Sequence, residues 1–305
     1  MSITITKAGA AAVSVTYNVV LIAAKLVAAI LTGSVAMLSE ALNSSIDLVA
    51  SVIALVAVRR ADVPADREHP YGHQKIESVA ATIEGMLIVS VAGFIISESA
   101  GRLISGETAI ESVGIGIVVI AFSTVSAAAV GLFLREQARV HRSPALEGDA
   151  AHLSADAITS FGVLLGLLAI QITGAEWVDS AVAIALSLFI IVTGINIIRK
   201  AAGILVDETL PAEEMDRIEE AIARVRPPEV VGYHKLRART TGTRRYIEMH
   251  VQFRDGTSLE QAHGLAHGLR NAIEGELRDA EVLIHVEPES SRRDPASEPE
   301  QYRAG

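Results

Sequence analysis

The sequence predicts a membrane protein in two parts: an all-α bundle of six transmembrane helices, followed by a cytoplasmic α+β domain. Half of the 305 residues are hydrophobic, the mean hydropathy is +0.39, and only 20% are charged, which is less than in an average soluble domain. Aromatic residues make up only 4%, so the apolar content is mainly the small and aliphatic residues that let membrane helices pack closely. Cysteine is absent, which excludes disulfide scaffolds and thiolate metal sites.

The charge balance narrows the classes of ligand. The formal net charge is −10. Nucleic acid is therefore not expected as a partner, because phosphate binding requires Lys and Arg clustered on one face. An acidic balance suits a cationic substrate instead.

Six stretches are long and apolar enough to cross a bilayer, which takes about 20 mostly apolar residues. Most basic loop residues lie between spans two and three, between spans four and five, and after span six, and basic loops stay on the cytoplasmic side. We therefore expect a multi-pass protein of the cell (inner) membrane with both termini in the cytoplasm. The predicted spans are residues 9–32, 35–58, 78–100, 112–134, 150–173 and 177–198.

The last third of the chain changes to a soluble composition after about Leu205. Its pattern predicts the order α-β-β-α-β, enough for a small two-layer domain. We expect a transmembrane domain at 1–206, a cytoplasmic metal-binding and dimerisation domain at 207–289, and a disordered tail at 290–305. The predicted elements of the cytoplasmic domain are a helix at 212–225, strands at 230–240 and 244–253, a helix at 258–277 and a strand at 281–287.

Two spans carry polar residues at a spacing that brings them to one helix face. Asn43 and Asp47 in span two, and His152 and Asp156 in span five, are each four residues apart. A carboxylate at such depth costs roughly 2.5 to 3.5 kcal/mol, so these residues predict a functional site. The four side chains together would offer mixed nitrogen and oxygen ligands to a small divalent cation. Asn43 alone is also typical of interhelical hydrogen bonding, and Glu40 is interpreted as a solvated or entry-path acid.

Histidines are concentrated in two other regions. The loop between spans two and three contains Asp66, His69 and His73, and Pro70 and Gly72 predict a turn that bends the two imidazoles toward one point. The alternative for this loop is two exposed histidines in solvent. The predicted cytoplasmic domain holds the second collection: His234, His250, His263, His267, His285 and Glu287.

In combination, these features resemble the cation diffusion facilitator family over residues from about 8 to 289. The resemblance rests on the six spans, the paired (Asn/His)-x-x-x-Asp motifs, the His-Pro-Tyr-Gly-His-x-Lys-x-Glu run from His69 to Glu77, and the α-β-β-α-β domain. It implies a homodimeric exporter of divalent metal, of the ferrous-iron and zinc type, and not an enzyme. The metal, most often Zn²⁺, would be exchanged for protons by alternating access, and the cytoplasmic domain would be metallochaperone-like, that is, ferredoxin-like.

The resemblance also implies roles for individual residues. Lys75 and Asp207 would form a structural salt bridge near the membrane surface of the dimer, although an exposed ion pair contributes only about 0 to 1 kcal/mol. The implied metal sites are a transport site (Asn43, Asp47, His152, Asp156), a loop site (Asp66, His69, His73) and a site at the cytoplasmic dimer interface (His234, His250, His263, His285, Glu287).

Asn43 departs from the family pattern, because zinc-selective members usually carry His or Asp at this position. Asn offers a neutral oxygen and cannot titrate, so Mn²⁺, Fe²⁺, Co²⁺ and Cd²⁺ remain open beside Zn²⁺, as does the number of protons. Glu287 in place of the more usual Asp is a smaller change. Two other classes stay open: a membrane metal sensor without transport, and an intramembrane metallohydrolase, for which only Glu40 is available as a general base. The sequence assigns no role to His267.

Overall fold

The computed structural model divides into two compact units, Met1–Gly203 and Ile204–Gly305, which we describe separately. The first unit is a bundle of six long helices, and the second combines two helices with a three-stranded sheet. The structure describes residues 5–32, 35–105, 114–173, 177–277 and 279–291.

The helices of the first unit are 26 to 31 residues long. Three of them contain, within the described residues, a stretch long and apolar enough to cross a membrane: Lys7–Val27, Lys75–Ser105 and Ser180–Leu205. The six helices are α1 (Lys7–Thr32), α2 (Val35–Ala61), α3 (Lys75–Ser105), α4 (Gly114–His141), α5 (Pro144–Thr173) and α6 (Trp177–Leu205).

Two buried clusters hold this bundle together. The larger cluster joins α1, α2, α4 and α5 through residues such as Val58, Leu134 and Leu153, and it also includes Ala80 of α3. A second cluster joins α3 and α6, and α5 packs against it through residues such as Ala155. The close approach of α3 to α6 depends on Gly85, because a Cβ atom there would lie 3.1 Å from the carbonyl oxygen of Gly194. Small residues at such crossings let helix backbones pack tightly in a membrane.

The second unit confirms the predicted α-β-β-α-β order. Strands β1 and β2 are antiparallel and joined by a two-residue loop, in which Gly242 has a φ of 59° that suits a tight hairpin turn. Strand β3 pairs with β2 in parallel, and α8 provides the crossover that a parallel pair requires. The elements are α7 (Ala212–Val225), β1 (Val230–Thr241), β2 (Arg244–Phe253), α8 (Leu259–Glu276), β3 (Ala280–Pro288) and a short 3₁₀ turn (Glu289–Ser291).

The two helices of this unit cover one face of the sheet. Ile247, Met249 and Val251 alternate along β2 toward the helices and are at most 1% exposed. Helix α8 begins with a capping box in which the Ser258 hydroxyl accepts a hydrogen bond from the backbone N–H of Gln261 at 3.2 Å. Because Ile247, Met249 and Val251 point toward the helices, the residues between them on β2 face away from the helices. Of the predicted tail, Ser290 and Ser291 belong to the 3₁₀ turn, and 292–305 lie outside the described residues.

Candidate metal sites

Helices α2 and α5 bring three of the predicted transport-site residues together inside the bundle. The Nε2 atom of His152 lies 3.3 Å from Oδ1 of Asp47 on α2 and 3.8 Å from Oδ2 of Asp156, one turn further along α5. The candidate ligand atoms of all three residues lie within 4.8 Å of one another. His152 is buried and the two carboxylates are partly buried. Two acids and one imidazole at this separation have the chemistry of a divalent metal site.

The fourth predicted ligand, Asn43, belongs to α2 one turn before Asp47, but its side chain lies outside the described part of the structure. The same holds for the side chain of Glu40. On the neighbouring helix, Lys25 of α1 is buried and its Nζ donates a hydrogen bond to the Ser44 hydroxyl at 2.8 Å. This lysine therefore has a partner inside the bundle, and that partner is the residue that directly follows Asn43.

Asp149 is a buried carboxylate that the sequence analysis missed. Its Oδ1 atom accepts hydrogen bonds from the hydroxyls of Ser14 on α1 and Ser51 on α2, both at 3.0 Å. The signal was present in the sequence, because Asp149 precedes His152 by three residues and Asp156 by seven and therefore shares their face of α5. It was overlooked because it precedes the predicted start of span five by one residue.

Glu84 is a second missed carboxylate, and it lies in the first third of predicted span three. It is completely buried, and neither of its carboxyl oxygens has a hydrogen-bond partner among the described residues. A carboxylate inside a predicted membrane span is a functional signal by itself. No His, Asp or Glu lies three or four residues from Glu84 on α3, so the spacing that marks spans two and five does not mark it.

The loop between α2 and α3 brings Asp66, His69 and His73 together. Nδ1 of His69 and Nε2 of His73 each lie 3.4 Å from an oxygen of Asp66, and the two rings are 4.4 Å apart. The predicted turn is present: Gly72, with a φ of 85°, donates its backbone N–H to the carbonyl of His69 at 2.9 Å. Backbone N–H groups of His69 and Glu68 bind the Asp66 carboxylate and hold its pKa below the usual range. An ionised acid beside two imidazoles suits a cation at this loop.

The cytoplasmic histidines form a row across the sheet. His234 pairs in register with His250, which pairs with His285, so that the three occupy neighbouring positions on β1, β2 and β3. Glu287 accepts hydrogen bonds from Nε2 of His234 at 3.0 Å and from Nδ1 of His250 at 2.7 Å. His285 is more exposed, with Nε2 3.6 Å from Glu287. This row lies on the sheet face that the helices leave open.

The neighbouring histidines favour the ionised form of Glu287. Partial burial opposes ionisation, but the hydrogen bonds from His250 and His234 outweigh it and lower the pKa of Glu287 below its usual value. His234, His250 and Glu287 offer ligand atoms within 4.8 Å of one another. A carboxylate flanked by two imidazoles again fits a divalent cation.

The structure places His263 away from this group. His263 belongs to α8, which packs on the other face of the sheet, and its ring lies 4.5 Å from that of His267, one turn further along the helix. The spacing of four residues explains this contact. Within one chain, the predicted five-residue cytoplasmic site is therefore a row on the open sheet face, together with a separate pair of histidines on α8.

The predicted partner of Lys75 is engaged within its own unit. Asp207 follows α6, has a φ of 60°, and its Oδ2 atom accepts a hydrogen bond from Nη1 of Arg239 on β1 at 2.8 Å. Lys75 begins α3 in the other unit and has an interaction of its own. The salt bridge between Lys75 and Asp207 stays a prediction about the dimer.

Comparison with known proteins identifies the class to which this bundle and these sites belong. Residues 11–206 match the cation efflux transmembrane domain, and residues 210–289 match the cytoplasmic domain of cation efflux proteins. The chain belongs to the cation diffusion facilitator family: it is a membrane transporter for the efflux of metal cations and not an enzyme. The predicted fold class and family are thereby confirmed.

Individual relatives extend over most of the chain. The cation-efflux pump FieF of Serratia proteamaculans is 34% identical over 269 residues, which cover 88% of each chain. FieF of Yersinia pestis (strain Pestoides F) is 34% identical over 259 residues, which cover 84% of each chain. Among solved structures, the metal-bound C-terminal domain of the CzcD transporter from Thermotoga maritima is 34% identical, with a TM-score of 0.23; the match covers 26% of this chain and 94% of that chain.

Proposed function

We propose that this protein exports a divalent metal cation, principally Zn²⁺, in exchange for protons. The observation that carries the proposal is the grouping of Asp47, His152 and Asp156 by two different helices within the bundle. Charged residues at this depth are costly and are retained for ion pathways. Three mixed ligands leave a fourth tetrahedral position open, for which Asn43 is the candidate on α2.

Protons compete with the metal for these ligands. A metal ion requires His152 neutral and both carboxylates ionised, so protonation of the ligands favours release of the ion. A proton gradient directed into the cell would then drive metal out, because protons arriving from outside displace the ion on that side. The role of the protein is to let the site face one side at a time.

Alternating access requires one group of helices to move against another. The site residues belong to α2 and α5, which form most of the larger buried cluster with α1 and α4, whereas α3 and α6 form the second cluster, against which α5 also packs. We propose that the α3 and α6 pair moves against the other four helices. Small residues on α5, including Ser154 and Ala155, would permit such a movement without a change in helix packing distance.

The cytoplasmic domain is proposed to bind regulatory metal and to hold a homodimer together. His234, His250 and Glu287 lie on the sheet face that the helices of the same chain leave open, where a second copy of the chain can pack. Participation of His263 in the interface site would require that second copy, because within one chain it lies with His267 on α8. Metal that bridges two copies stabilises the dimer by mass action.

A second candidate substrate follows from Asn43. A neutral amide oxygen is a harder ligand than imidazole, which favours Mn²⁺ or Fe²⁺ over the softer Zn²⁺. Competition flux assays in proteoliposomes with Zn²⁺, Mn²⁺, Fe²⁺, Co²⁺ and Cd²⁺ under an imposed pH gradient would rank these substrates. Metal binding without any flux would instead identify a membrane metal sensor.

The last part of the proposal concerns the membrane location and topology of the transporter. We propose a multi-pass protein of the inner membrane with six spans and both termini in the cytoplasm, because the basic loops lie on that side. Cysteine substitution of one loop at a time, followed by labelling of intact cells with a membrane-impermeant thiol reagent, tests this topology. The natural sequence contains no cysteine, so every label would report the introduced position.

A further inference from the structure

A buried carboxyl pair lies where α3 contacts α5, outside the three candidate metal sites. Glu84 and Asp149 are both 0% exposed. The carboxyl group of Glu84 lies against the backbone of Gly148, where a Cβ atom would meet its Oε2 and Cδ atoms. The absence of a side chain at 148 thus provides the space that the Glu84 carboxyl occupies next to Asp149.

The two carboxyl groups have different hydrogen-bond environments. Oδ1 of Asp149 accepts from the hydroxyls of Ser14 and Ser51, and Asn18 supports Ser51 with a further hydrogen bond at 2.7 Å. Among the described residues, nothing donates to Oδ2 of Asp149 or to either oxygen of Glu84. Donors stabilise an ionised carboxylate, so Asp149 is the better site for the negative charge and Glu84 is the poorer one.

Ionising both groups would be unfavourable for two reasons. A buried carboxylate without a hydrogen-bond donor is costly, and a second negative charge beside it adds repulsion. Two carboxyl groups in this situation keep at least one proton, as in other carboxyl dyads. The asymmetry of their partners places that proton on Glu84.

We propose that Glu84 is a proton-binding site of the transmembrane unit, separate from the metal ligands. It holds a proton in the metal-free protein, and it loses that proton to the cytoplasm when a divalent cation binds to Asp47, His152 and Asp156. The second statement rests on the proposed function, and the first does not. The step is a simple dissociation, in which the Glu84 O–H bond breaks, the electron pair stays on the carboxylate, and the proton leaves through water.

The surroundings of the pair connect it to the metal site. Asp149 precedes His152 by about one turn of α5, so a cation at that site brings positive charge close to the pair. Among the described residues of α1 and α2, the hydroxyls of Ser14 and Ser51 donate to Asp149, and the amide of Asn18 donates to Ser51. Within the described chain, the charged groups that act on the pair are the two carboxyls themselves and His152.

This site would also supply what Asn43 cannot. An amide does not titrate, so the transport site has one fewer proton-binding group than a site with His or Asp at that position. Glu84 would provide the missing titrating group, because it can bind and release a proton although it is not a metal ligand. We therefore expect one proton per transported ion to come from Glu84 and not from Asp47, His152 or Asp156.

The first test is the pH dependence of stability in the metal-free, full-length protein in detergent with a chelator. For wild type, we expect the midpoint of thermal unfolding to fall as pH rises from 6 to 9, because the proton is pulled from a buried group. Glu84→Gln, which mimics the protonated acid, should show a clearly smaller fall. The matched control is Glu98→Gln on the exposed side of α3, which should retain the wild-type slope. Equal slopes in wild type and Glu84→Gln would overturn the proposal.

A second measurement does not depend on a variant that folds. Infrared difference spectra of wild type on addition of Zn²⁺ at neutral pH should show loss of a protonated carboxylic acid band. If no such band is lost, and Zn²⁺ binding is shown separately, proton release from Glu84 is excluded. A gain of thermal stability with a cation at pH 9 that is present in Asp156→Ala but absent in Glu84→Gln would assign the pair to a cation and also overturn the proposal.

The third test counts protons. Calorimetric titration of Zn²⁺ in buffers of different ionisation enthalpy gives the protons released per bound ion, and we expect about one fewer for Glu84→Gln than for wild type. An unchanged count would overturn the link to metal binding. If the unfolding midpoint falls more steeply with pH in wild type than in Glu84→Gln, but wild type carries no metal across a membrane, the proposed function fails and the proton site stands.

Discussion

The Nε2 atom of His152 lies 3.3 Å from Oδ1 of Asp47, and this contact joins α5 to α2 inside the bundle. The two residues are 105 positions apart in the chain, so only the packing of the helices brings them together. Asp156 completes the group from the next turn of α5. A site shared between two helices can change its access when those helices move relative to the rest of the bundle.

The first prediction concerns Asn43. With a neutral amide, two carboxylates and one imidazole, the site loaded with a divalent cation has a net charge near zero. Asn43→His adds a softer ligand that titrates near neutrality, so we expect Zn²⁺ transport to rise relative to Mn²⁺ and its pH dependence to steepen. Competition flux assays on wild type and variant measure both effects. An unchanged metal ratio with an unchanged pH profile would mean that Asn43 only packs beside the site.

The second prediction concerns zinc and the cytoplasmic domain. The fragment from about Leu210 to Glu289 should gain thermal stability with added Zn²⁺ at neutral pH and lose that gain near pH 5, because imidazole ligands must be neutral to bind a metal ion. Calorimetric melting with and without zinc tests this. A melting temperature indifferent to zinc at pH 7 would remove the regulatory role.

Without metal, the stability of the cytoplasmic domain should also fall with falling pH, but at lower pH values than the zinc-dependent gain. The pKa of Glu287 is lowered in the folded domain, so its contribution to stability is present above its ordinary pKa of about 4.5 and is lost as pH falls through the lowered value. The zinc-dependent gain should therefore disappear at a higher pH than the contribution of the carboxylate. Melting curves at intervals between pH 7 and 3 separate the two.

The third prediction distinguishes the two groups of histidines. His250 hydrogen-bonds Glu287 in the open-face row, whereas His267 lies next to His263 on α8. His250→Ala should abolish most of the zinc-induced stabilisation of the domain, and His267→Ala should retain it. Equal losses in the two variants would show that the metal binds elsewhere.

Helical periodicity predicted much of the transmembrane site from the sequence. Residues four apart on one helix must share a face, so the pairing of His152 with Asp156 followed from local geometry. Glu84 could not be placed in the same way, because its neighbour Asp149 comes from another helix and only tertiary packing joins them. Spacing along one helix therefore predicts residues that share a face, but it does not predict a pair of carboxyl groups that two helices bring together.

The cytoplasmic domain shows the same limit. Alternation predicted the strands and their apolar faces, but strand register and the side on which α8 packs depend on the whole domain. The irregular pairing of β1 between His234 and Arg237 is an example, since it determines that His234 lies opposite His250. The family resemblance placed His263 in the dimer-interface site, and within one chain His263 lies on α8, which packs on the opposite sheet face; its participation in that site stays a prediction about the dimer.

The fourth prediction tests the core of the cytoplasmic domain. Ile247 is completely buried in the centre of β2. Ile247→Ala should lower the free energy of unfolding of the domain by about 2 to 5 kcal/mol, because it removes buried apolar groups and leaves a cavity. Leu259→Ala, at an exposed position in the first turn of α8, is the control and should change stability little. Denaturant unfolding of the fragment measures both values.

The most direct test of the account is zinc flux in proteoliposomes under an imposed pH gradient, with wild type compared with Asp156→Ala. We predict that wild type carries Zn²⁺ in the direction opposite to the proton flow. Asp156→Ala should assemble as a folded dimer but lose nearly all flux, because one of the ligands brought together by α2 and α5 is gone. Size-exclusion chromatography and a melting curve provide the folding control. If vesicles with folded Asp156→Ala accumulate Zn²⁺ at the wild-type rate, the group formed by Asp47, His152 and Asp156 is not the transport site.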